Sequence, residues 1–288
     1  MLENILVIGA TGMLGLPVTK ALVEHGLQVS ALVRNPEKAA KVLPKEVAFI
    51  QGDLKNIDSI ERALVGHEAV YLNLSVMQSS VKQSFHTERE GLDNLIKIAE
   101  FSGIQRIFYL SSLLQNHKTN WWVLQLKRAA LAKLKKSGIP ITIFYPSSFM
   151  ETLDQKLLFS NKIILFGESK YPMYWIAAED YARQVATAIK ANSYSNMHTD
   201  YIIQGQKAYT LQEAAKIFIE NYTLRPLRII QLPLNIFQLL AFLHPHIAYG
   251  VGISDALNNY PEKFSAEDTW QELGKPEISL QEYARNLS

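Results

Sequence analysis

The chain has 288 residues, of which 48% are hydrophobic, so it contains enough apolar material to bury a large core. Its 29 basic and 27 acidic side chains give a formal net charge of +2, and neither sign forms a long run, which argues against a nucleic-acid partner. The absence of cysteine excludes disulfides, thiolate nucleophiles and cysteine-ligated zinc, and the scattered positions of the 7 histidines predict no metal site.

The first part of the chain alternates short β-like runs with helical patterns. The β-like runs lack the alternating polarity of a half-exposed sheet, which is typical of strands that helices cover on both faces. Gly26, Gly66, Gly103 and Gly138 follow helical stretches, where a left-handed C-terminal residue is expected. The pattern predicts an α/β fold with a doubly wound, parallel, Rossmann-type sheet. The β-like runs are NILVIGA, QVSALVR, VAFIQGD, AVYLNLS, RIFYLSS and ITIFYPSS, and the helical patterns cover residues 14–25, 36–43, 57–65, 84–102 and 120–137.

After about residue 150 this alternation weakens. We therefore expect a first domain over residues 1–150 and a smaller, mostly helical substrate-binding region over residues 151–288. The run DYIIQG, residues 200–205, predicts a strand that returns to the sheet of the first domain. The chain starts on a strand pattern without the basic and apolar succession of a signal peptide, so a cytoplasmic location is expected.

One long stretch, residues 232–253, is mostly apolar. Polar residues interrupt it, and Pro245 would break a helix before the roughly 20 residues that a membrane span requires. The sequence therefore predicts no stable membrane span. A buried or pocket-lining helix and a membrane-surface or oligomer contact stay open as alternatives.

Three glycines at a spacing of three follow the first strand. At Gly9 and Gly12 the missing Cβ permits a tight turn and close approach of the backbone to a diphosphate, and at Gly15 it lets the next helix pack on the strand. The amides of this turn and the positive end of the helix face an anion. The motif thus predicts a dinucleotide site, although a plain glycine-rich turn is the simpler alternative. The residues expected to hold the pyrophosphate are Gly9, Thr11, Gly12, Met13, Leu14 and Gly15.

The end of the second strand indicates which dinucleotide is bound. An NAD site usually has an acidic residue there for the ribose 2′-hydroxyl, whereas this chain has Arg34, with Lys38 four residues on. Because a guanidinium binds a 2′-phosphate with paired hydrogen bonds, NADP(H) is favoured over NAD(H), unless Arg34 is an ordinary surface charge. Asp53, with Leu54 beside it, is placed to accept from the adenine amino group, although such an Asp is also an ordinary turn cap.

Seven segments, spread over nearly the whole chain, follow one another in the order and spacing of a known family. They are ILVIGATGMLG, ALVRNPEKA, FIQGDLKNIDSIERAL, GLDNLIKIAEFSGIQRIFYLSS, LKKSGIPITIFYPSSFMET, WIAAEDYARQVATAI and YTLQEAAKIF. In these segments the chain resembles the NmrA-like branch of the atypical short-chain dehydrogenase/reductase superfamily. That branch contains reductases, quinone and isoflavone-type oxidoreductases, and redox-sensing regulators that bind the cofactor without turning it over, so the fold does not choose the activity.

The resemblance also implies a catalytic device, in which a tyrosine four residues before a lysine transfers a proton and the lysine binds the nicotinamide ribose. In this chain Lys127 stands at the position of the lysine, but Val123 stands at that of the tyrosine. Because an apolar side chain transfers no proton, the ordinary mechanism lacks a required part. Leu113 stands where the family's catalytic Ser or Thr usually falls, after Ser111 and Ser112.

Three roles stay open for Lys127: binding the ribose, acting alone as the acid or base, and serving as a solvated surface charge. Trp121 and Trp122 either line the substrate pocket or have only a structural role in packing. Other side chains come at the carboxyl ends of strands, where ligands of open α/β sheets gather. The further residues expected at the cofactor are Asn73, Leu74, Ser75, Ser111, Tyr145, Pro146, Ser147 and Ser148.

These features favour an NADP(H)-dependent oxidoreductase that passes hydride between the nicotinamide and a small apolar acceptor, such as a quinone or an enone. The alternative is a non-catalytic protein that senses NADP(H) and changes its affinity for a partner. A structural subunit near a membrane is a third possibility, which depends on residues 232–253 alone. The expected partners are a small-molecule substrate and, beyond it, a second copy of the chain or a regulatory protein.

Overall fold

A computed structural model describes residues 2–75, 84–119, 121–191, 196–241 and 244–287. Its strands are β1 (Asn4–Ile8), β2 (Gln28–Val33), β3 (Ala48–Gln51), β4 (Ala69–Leu72), β5 (Arg106–Leu110), β6 (Ile141–Pro146), β7 (Leu158–Phe159), β8 (Lys162–Phe166), β9 (Met173–Tyr174), β10 (His198–Ile203), β11 (Ala208–Tyr209) and β12 (Arg228–Leu232). Its α-helices are α1 (Gly15–Glu24), α2 (Pro36–Ala39), α3 (Ile57–Leu64), α4 (Leu92–Ala99), α5 (Trp122–Lys136), α6 (Glu151–Gln155), α7 (Ala178–Lys190), α8 (Leu211–Asn221), α9 (Leu234–Leu240), α10 (Pro245–Asn259), α11 (Glu267–Leu273) and α12 (Leu280–Asn286).

A seven-stranded parallel sheet forms the centre, in the order β3-β2-β1-β4-β5-β6-β10. The inner strands β1, β4, β5 and β6 are buried almost throughout, because α1 and α7 cover one face and α3, α4 and α5 cover the other, whereas the edge strands β3 and β10 are partly exposed. The four glycines expected to end helices have φ between +74° and +77°, which glycine adopts without strain. The prediction of a doubly wound α/β sheet is confirmed.

The C-terminal region contains more strand than the sequence pattern predicted. Besides its helices it holds a three-stranded sheet, β12-β8-β7, and a two-stranded sheet, β11-β9. Helices still predominate in this region, as expected; the small sheets were not predicted, because β7, β9 and β11 have only two residues each, too few to show a period-2 pattern. Strand β10 lies beside β6, with His198 opposite Ile141 and Ile203 opposite Pro146.

The apolar stretch 232–253 divides between two helices, α9 and α10, because Pro245 starts the second one. Among the described residues, no helix has the length and hydropathy that crossing a membrane requires. Helix α10 packs on the start of α5: the Tyr249 ring lies 5.4 Å from the Trp121 ring, centroid to centroid. A Cβ on Gly252 would lie 2.2 Å from Trp121 Nε1, so the two helices approach as closely as a glycine permits.

This close approach predicts different effects for two glycines of the same helix. Gly252→Ala should lower the free energy of unfolding by about 1–3 kcal/mol, because the indole must move to admit a methyl group. Gly250→Ala should leave it unchanged or slightly raised, since a Cβ there meets nothing within 4 Å. Urea denaturation of both variants measures the difference, and equal stabilities would contradict the packing of α10 on Trp121.

Candidate functional site

The glycine-rich turn between β1 and α1 brings backbone atoms so close together that two of its positions leave no room for a Cβ. Gly9 has φ +87°, and the Gly12 N–H donates to the Gly9 carbonyl oxygen at 3.1 Å. A Cβ on Gly9 would lie 2.2 Å from the Asn73 carbonyl oxygen, and one on Gly15 would lie 2.0 Å from the Gly9 carbonyl oxygen. Real Cβ atoms do not approach backbone so closely, so these positions accept only glycine.

The same turn leaves a helix N-terminus open toward solvent. Thr11 and Gly12 are exposed, and Met13 and Leu14 are half-buried. Helix α1 has no side-chain cap. The Leu16 N–H donates to the Gly12 carbonyl oxygen at 2.9 Å and Pro17 has no N–H, so the amides left for a ligand are those of the turn before Leu16. Unpaired amides and the positive end of the helix dipole together attract an anion such as a pyrophosphate.

Asn73, at the end of β4, supports the turn from the neighbouring strand. Its backbone N–H donates to the Ile8 carbonyl oxygen at 2.9 Å, and its side-chain Nδ2 donates to the Gly9 carbonyl oxygen at 3.3 Å. Leu74 is buried, while Ser75 is exposed and its carbonyl oxygen accepts from Thr87 Oγ1 at 2.6 Å. The sequence placed these residues at a strand end, but only the pairing of β4 with β1 brings Asn73 against Gly9.

Arg34 and Lys38 lie exposed just beyond β2. The side chain between them, Asn35, caps α2 by accepting from the Lys38 N–H at 2.9 Å. Within the described part of the chain Arg34 makes no ion pair or hydrogen bond, so its guanidinium is free to bind a ligand anion. It lies at the edge to which the adjacent strand β1 delivers the glycine turn.

Asp53, after β3, has the geometry of the turn cap that was one of its two interpretations. Its Oδ1 accepts from the Lys55 N–H at 2.9 Å, and its backbone is tied to Ser59 Oγ on both sides. The side chain is half-buried, and Oδ2 takes no part in that cap. Leu54 beside it is buried.

The ends of β5 and β6 bring two kinds of side chain to the same edge. Ser111 is buried, and its Oγ has no hydrogen-bond partner among the described residues. An orphaned buried hydroxyl at a ligand-binding edge fits a bound polar molecule better than a closed core. Tyr145 and Pro146 are buried, and burial raises the pKa of the Tyr145 phenol, which keeps it neutral.

The two serines after β6 have partners from the C-terminal region. Ser147 Oγ donates to Glu262 Oε2 at 2.7 Å, and Ser148 Oγ lies 3.1 Å from Met173 Sδ. Glu262 also accepts from Gln204 Nε2 at 2.6 Å, and burial raises the pKa of this carboxyl. The segment around Glu262 is thereby fastened over the ends of β6 and β10, a contact for which the sequence offers no signal.

Lys127 forms an ion pair with Glu88, a partner that the sequence did not predict. Its Nζ lies 2.5 Å from Oε1 of Glu88, and 16% of the Lys127 side chain and 0% of the Glu88 side chain are exposed. The ammonium also lies 5.6 Å from the centre of the Tyr109 ring. Val123, one turn earlier on α5, is buried. The sequence predicted a plain helix over residues 84–102, and nothing in its periodicity marks Glu88 as buried.

The carboxyl edge of the sheet therefore collects most of the expected residues. The glycine turn, Asn73 and Ser111 lie along this edge, where Arg34 follows β2 and Asp53 follows β3, the outermost strand on that side. Tyr145 is in the core layer and Lys127 is engaged by Glu88. The glycine turn that a Cβ would fill, the uncapped helix and the orphaned Ser111 hydroxyl are features that fit a bound dinucleotide.

Comparison with known proteins agrees with this geometry. The model of the NmrA-like family matches residues 1–275. The chain is 24% identical over 257 residues to the photosystem II assembly factor Ycf39 of Trieres chinensis, a match that covers 88% of this chain and 80% of that protein. It is 25% identical over 236 residues to an NAD(P)H azoreductase of Xenophilus azovorans, a match that covers 80% of this chain and 78% of that protein.

Among solved structures, the chain is similar to an NADPH-dependent quinone oxidoreductase of Escherichia coli. The TM-score is 0.73 at 23% sequence identity, over 98% of this chain and 99% of that one. A likeness at this level of identity establishes the fold.

Proposed function

Since the chain belongs to the NmrA-like family, we propose that it is an NADP(H)-dependent oxidoreductase that reduces a small apolar acceptor of the quinone or enone type. The observation that carries this proposal is the glycine turn together with the Arg34 guanidinium beyond β2, which has no partner among the residues that the structure describes. The turn and the α1 amides hold the pyrophosphate, and Arg34 binds the 2′-phosphate. Ser111 and the backbone at the ends of β4 and β6 receive the nicotinamide half. The cofactor, when bound, supplies the hydride.

The acceptor class follows from what the site lacks. Val123 transfers no proton, and the Lys127 ammonium is held by Glu88. An acceptor whose reduced form takes its protons from water, such as a quinone, needs no acid at this position. The azoreductase and the quinone oxidoreductase to which the chain is similar support a reductase of this kind.

Arg34→Ala is expected to weaken NADPH binding between about tenfold and a hundredfold, because a charge-assisted pair of hydrogen bonds to the 2′-phosphate is lost. NADH binding should not change, since NADH lacks that phosphate. Calorimetric titration of both nucleotides measures this, with Arg62→Ala, an exposed arginine on α3, as the control. Equal losses for NADPH and NADH would contradict the assignment of Arg34.

Turnover is tested by following NADPH oxidation with a panel of quinones and enones. Oxidation that depends on the acceptor supports the oxidoreductase. Tight binding of NADPH without oxidation by any acceptor would overturn it and would support a second candidate, described next.

The second candidate is a binding protein that responds to the NADP(H) state without turning the cofactor over. It is favoured by the missing proton donor at Val123 and by the similarity to the assembly factor Ycf39, whose alignment covers 88% of this chain at 24% identity. Such a protein must bind NADPH and NADP⁺ in two conformations that differ in affinity for a partner. A partner captured equally well with either nucleotide would exclude this candidate.

A further inference from the structure

Two ion pairs join α5 to the segment that leads into and forms α4. Lys127 pairs with Glu88 at 2.5 Å, and Lys133 pairs with Asp93 at 2.7 Å. The first pair is buried, whereas 34% of the Lys133 side chain and 52% of the Asp93 side chain are exposed. The same two elements are therefore joined by one buried and one exposed ion pair. Breaking the buried pair destabilises a protein much more than breaking the exposed one.

Glu88 lies in a π-helical turn, Thr87–Gly91, directly before α4. Such turns are rare and are frequent at functional sites. Close by, His86 is buried with neither ring nitrogen bonded within the described residues, and its ring lies 5.7 Å from that of Trp122. The turn thus holds polar groups in the interior that the fold itself does not fully satisfy, which is a property of ligand sites.

The charge of Glu88 is compensated by Lys127 and not by the phenols around it. The Tyr109 hydroxyl lies near the carboxylate but has no hydrogen-bond partner among the described residues, and the charge of Glu88 also raises the pKa of Tyr249 on α10. Burial, and then the negative charge of Glu88, raises the pKa of both phenols, so both stay neutral. Glu88 and Lys127 thus form a buried ion pair, and removing either side chain would leave the other charge uncompensated in the interior, which is strongly unfavourable.

We propose that Glu88 is a positioning residue: it holds the Lys127 ammonium in place to bind the nucleotide, a role distinct from proton donation. This inference rests on the proposed function, because it assigns Lys127 to the nicotinamide half of the same site.

The test compares the two ion pairs by NADPH titration and by turnover with a quinone acceptor. Glu88→Gln and Lys127→Met should each raise the Kd for NADPH about tenfold, the effect of one hydrogen bond to a charged group. The double variant should be no weaker than Lys127→Met, because the two residues act as a unit. Asp93→Asn and Lys133→Met, which interrupt the exposed pair, should leave the Kd unchanged.

The rate at saturating NADPH separates positioning from proton donation. For Glu88→Gln and Lys127→Met, kcat should stay within about twofold of the wild type, because the lost interaction stabilises the bound ground state and the transition state equally. A large fall of kcat at unchanged Kd would identify Lys127 as the acid and overturn the proposal. A Kd for Glu88→Gln equal to that of Asp93→Asn would overturn it as well.

Two further measurements cover the remaining outcomes. If Glu88→Gln does not fold, Glu88→Asp keeps the charge but displaces the ammonium, and the Kd should still rise severalfold; an unchanged Kd would overturn the positioning role. A wild type that binds no NADPH would overturn the proposed function itself, whereas wild-type binding with an unaffected Glu88 variant overturns only this inference.

Discussion

Gly15→Ala is expected to abolish NADPH binding, with a Kd raised more than about a hundredfold, and to lower the free energy of unfolding by about 2–4 kcal/mol. A Cβ at this position would lie 2.0 Å from the Gly9 carbonyl oxygen and 2.7 Å from Asn73 Nδ2. The first of these atoms belongs to the backbone of the turn and cannot rotate away. The turn must therefore open, which separates the amides that we propose as the pyrophosphate site.

Calorimetric titration and urea denaturation measure the two effects of Gly15→Ala separately. Gly250→Ala serves as the control, because a Cβ there meets nothing within 4 Å. Gly12→Ala should fall between the two, since its nearest contacts would be 3.3 Å. Retention of wild-type affinity by Gly15→Ala would show that the turn does not bind the nucleotide.

Glu151→Gln is expected to remove a pH dependence of stability that reaches about 3 kcal/mol. Glu151 starts α6 and is 7% exposed; its Oε1 accepts from the Ala178 N–H at 2.9 Å, and its Oε2 is buried without a partner in the described structure. Burial is the largest influence and raises the pKa of this carboxyl from 4.5 to about 7. The glutamine keeps an acceptor for Ala178 but does not ionise.

The sign of this dependence follows from the two states. Between pH 4.5 and about 7 the unfolded chain releases the Glu151 proton while the folded chain retains it, so rising pH favours unfolding. The loss of stability is complete above about pH 7. Urea denaturation from pH 5 to 8 should show the wild type falling relative to Glu151→Gln, and Glu24→Gln, an exposed glutamate on α1, should follow the wild type. Parallel curves for the wild type and Glu151→Gln would contradict the burial of this charge.

The residues that the sequence identified best are those whose role is local. The Gly9–Gly15 turn needs only the order strand, turn and helix, and φ +77° at Gly26 follows from the end of the helix before it. Likewise, the alternation of apolar runs with helical patterns is enough to predict the parallel sheet. Each of these features depends on residues within one turn or one β-α unit.

Long-range contacts account for what the sequence did not reveal. Glu88 meets Lys127 across 39 positions and Ser147 meets Glu262 across 115, and neither carboxylate differs in its local sequence from a solvated one. Likewise, Asn73 reaches Gly9 only because β4 pairs with β1. The two-residue strands of the C-terminal region are also too short for their pattern to be recognised.

The sequence by itself determined the fold class and the place of the glycine-rich turn, because periodicity and turn chemistry are properties of neighbouring residues. The tertiary structure alone decided which charges are buried and with what partner. Burial is set by the whole chain: Lys127 and Lys133 lie on one helix, yet only the first is enclosed with its carboxylate. That difference in solvation separates a lysine enclosed with its carboxylate from one that lies at the surface.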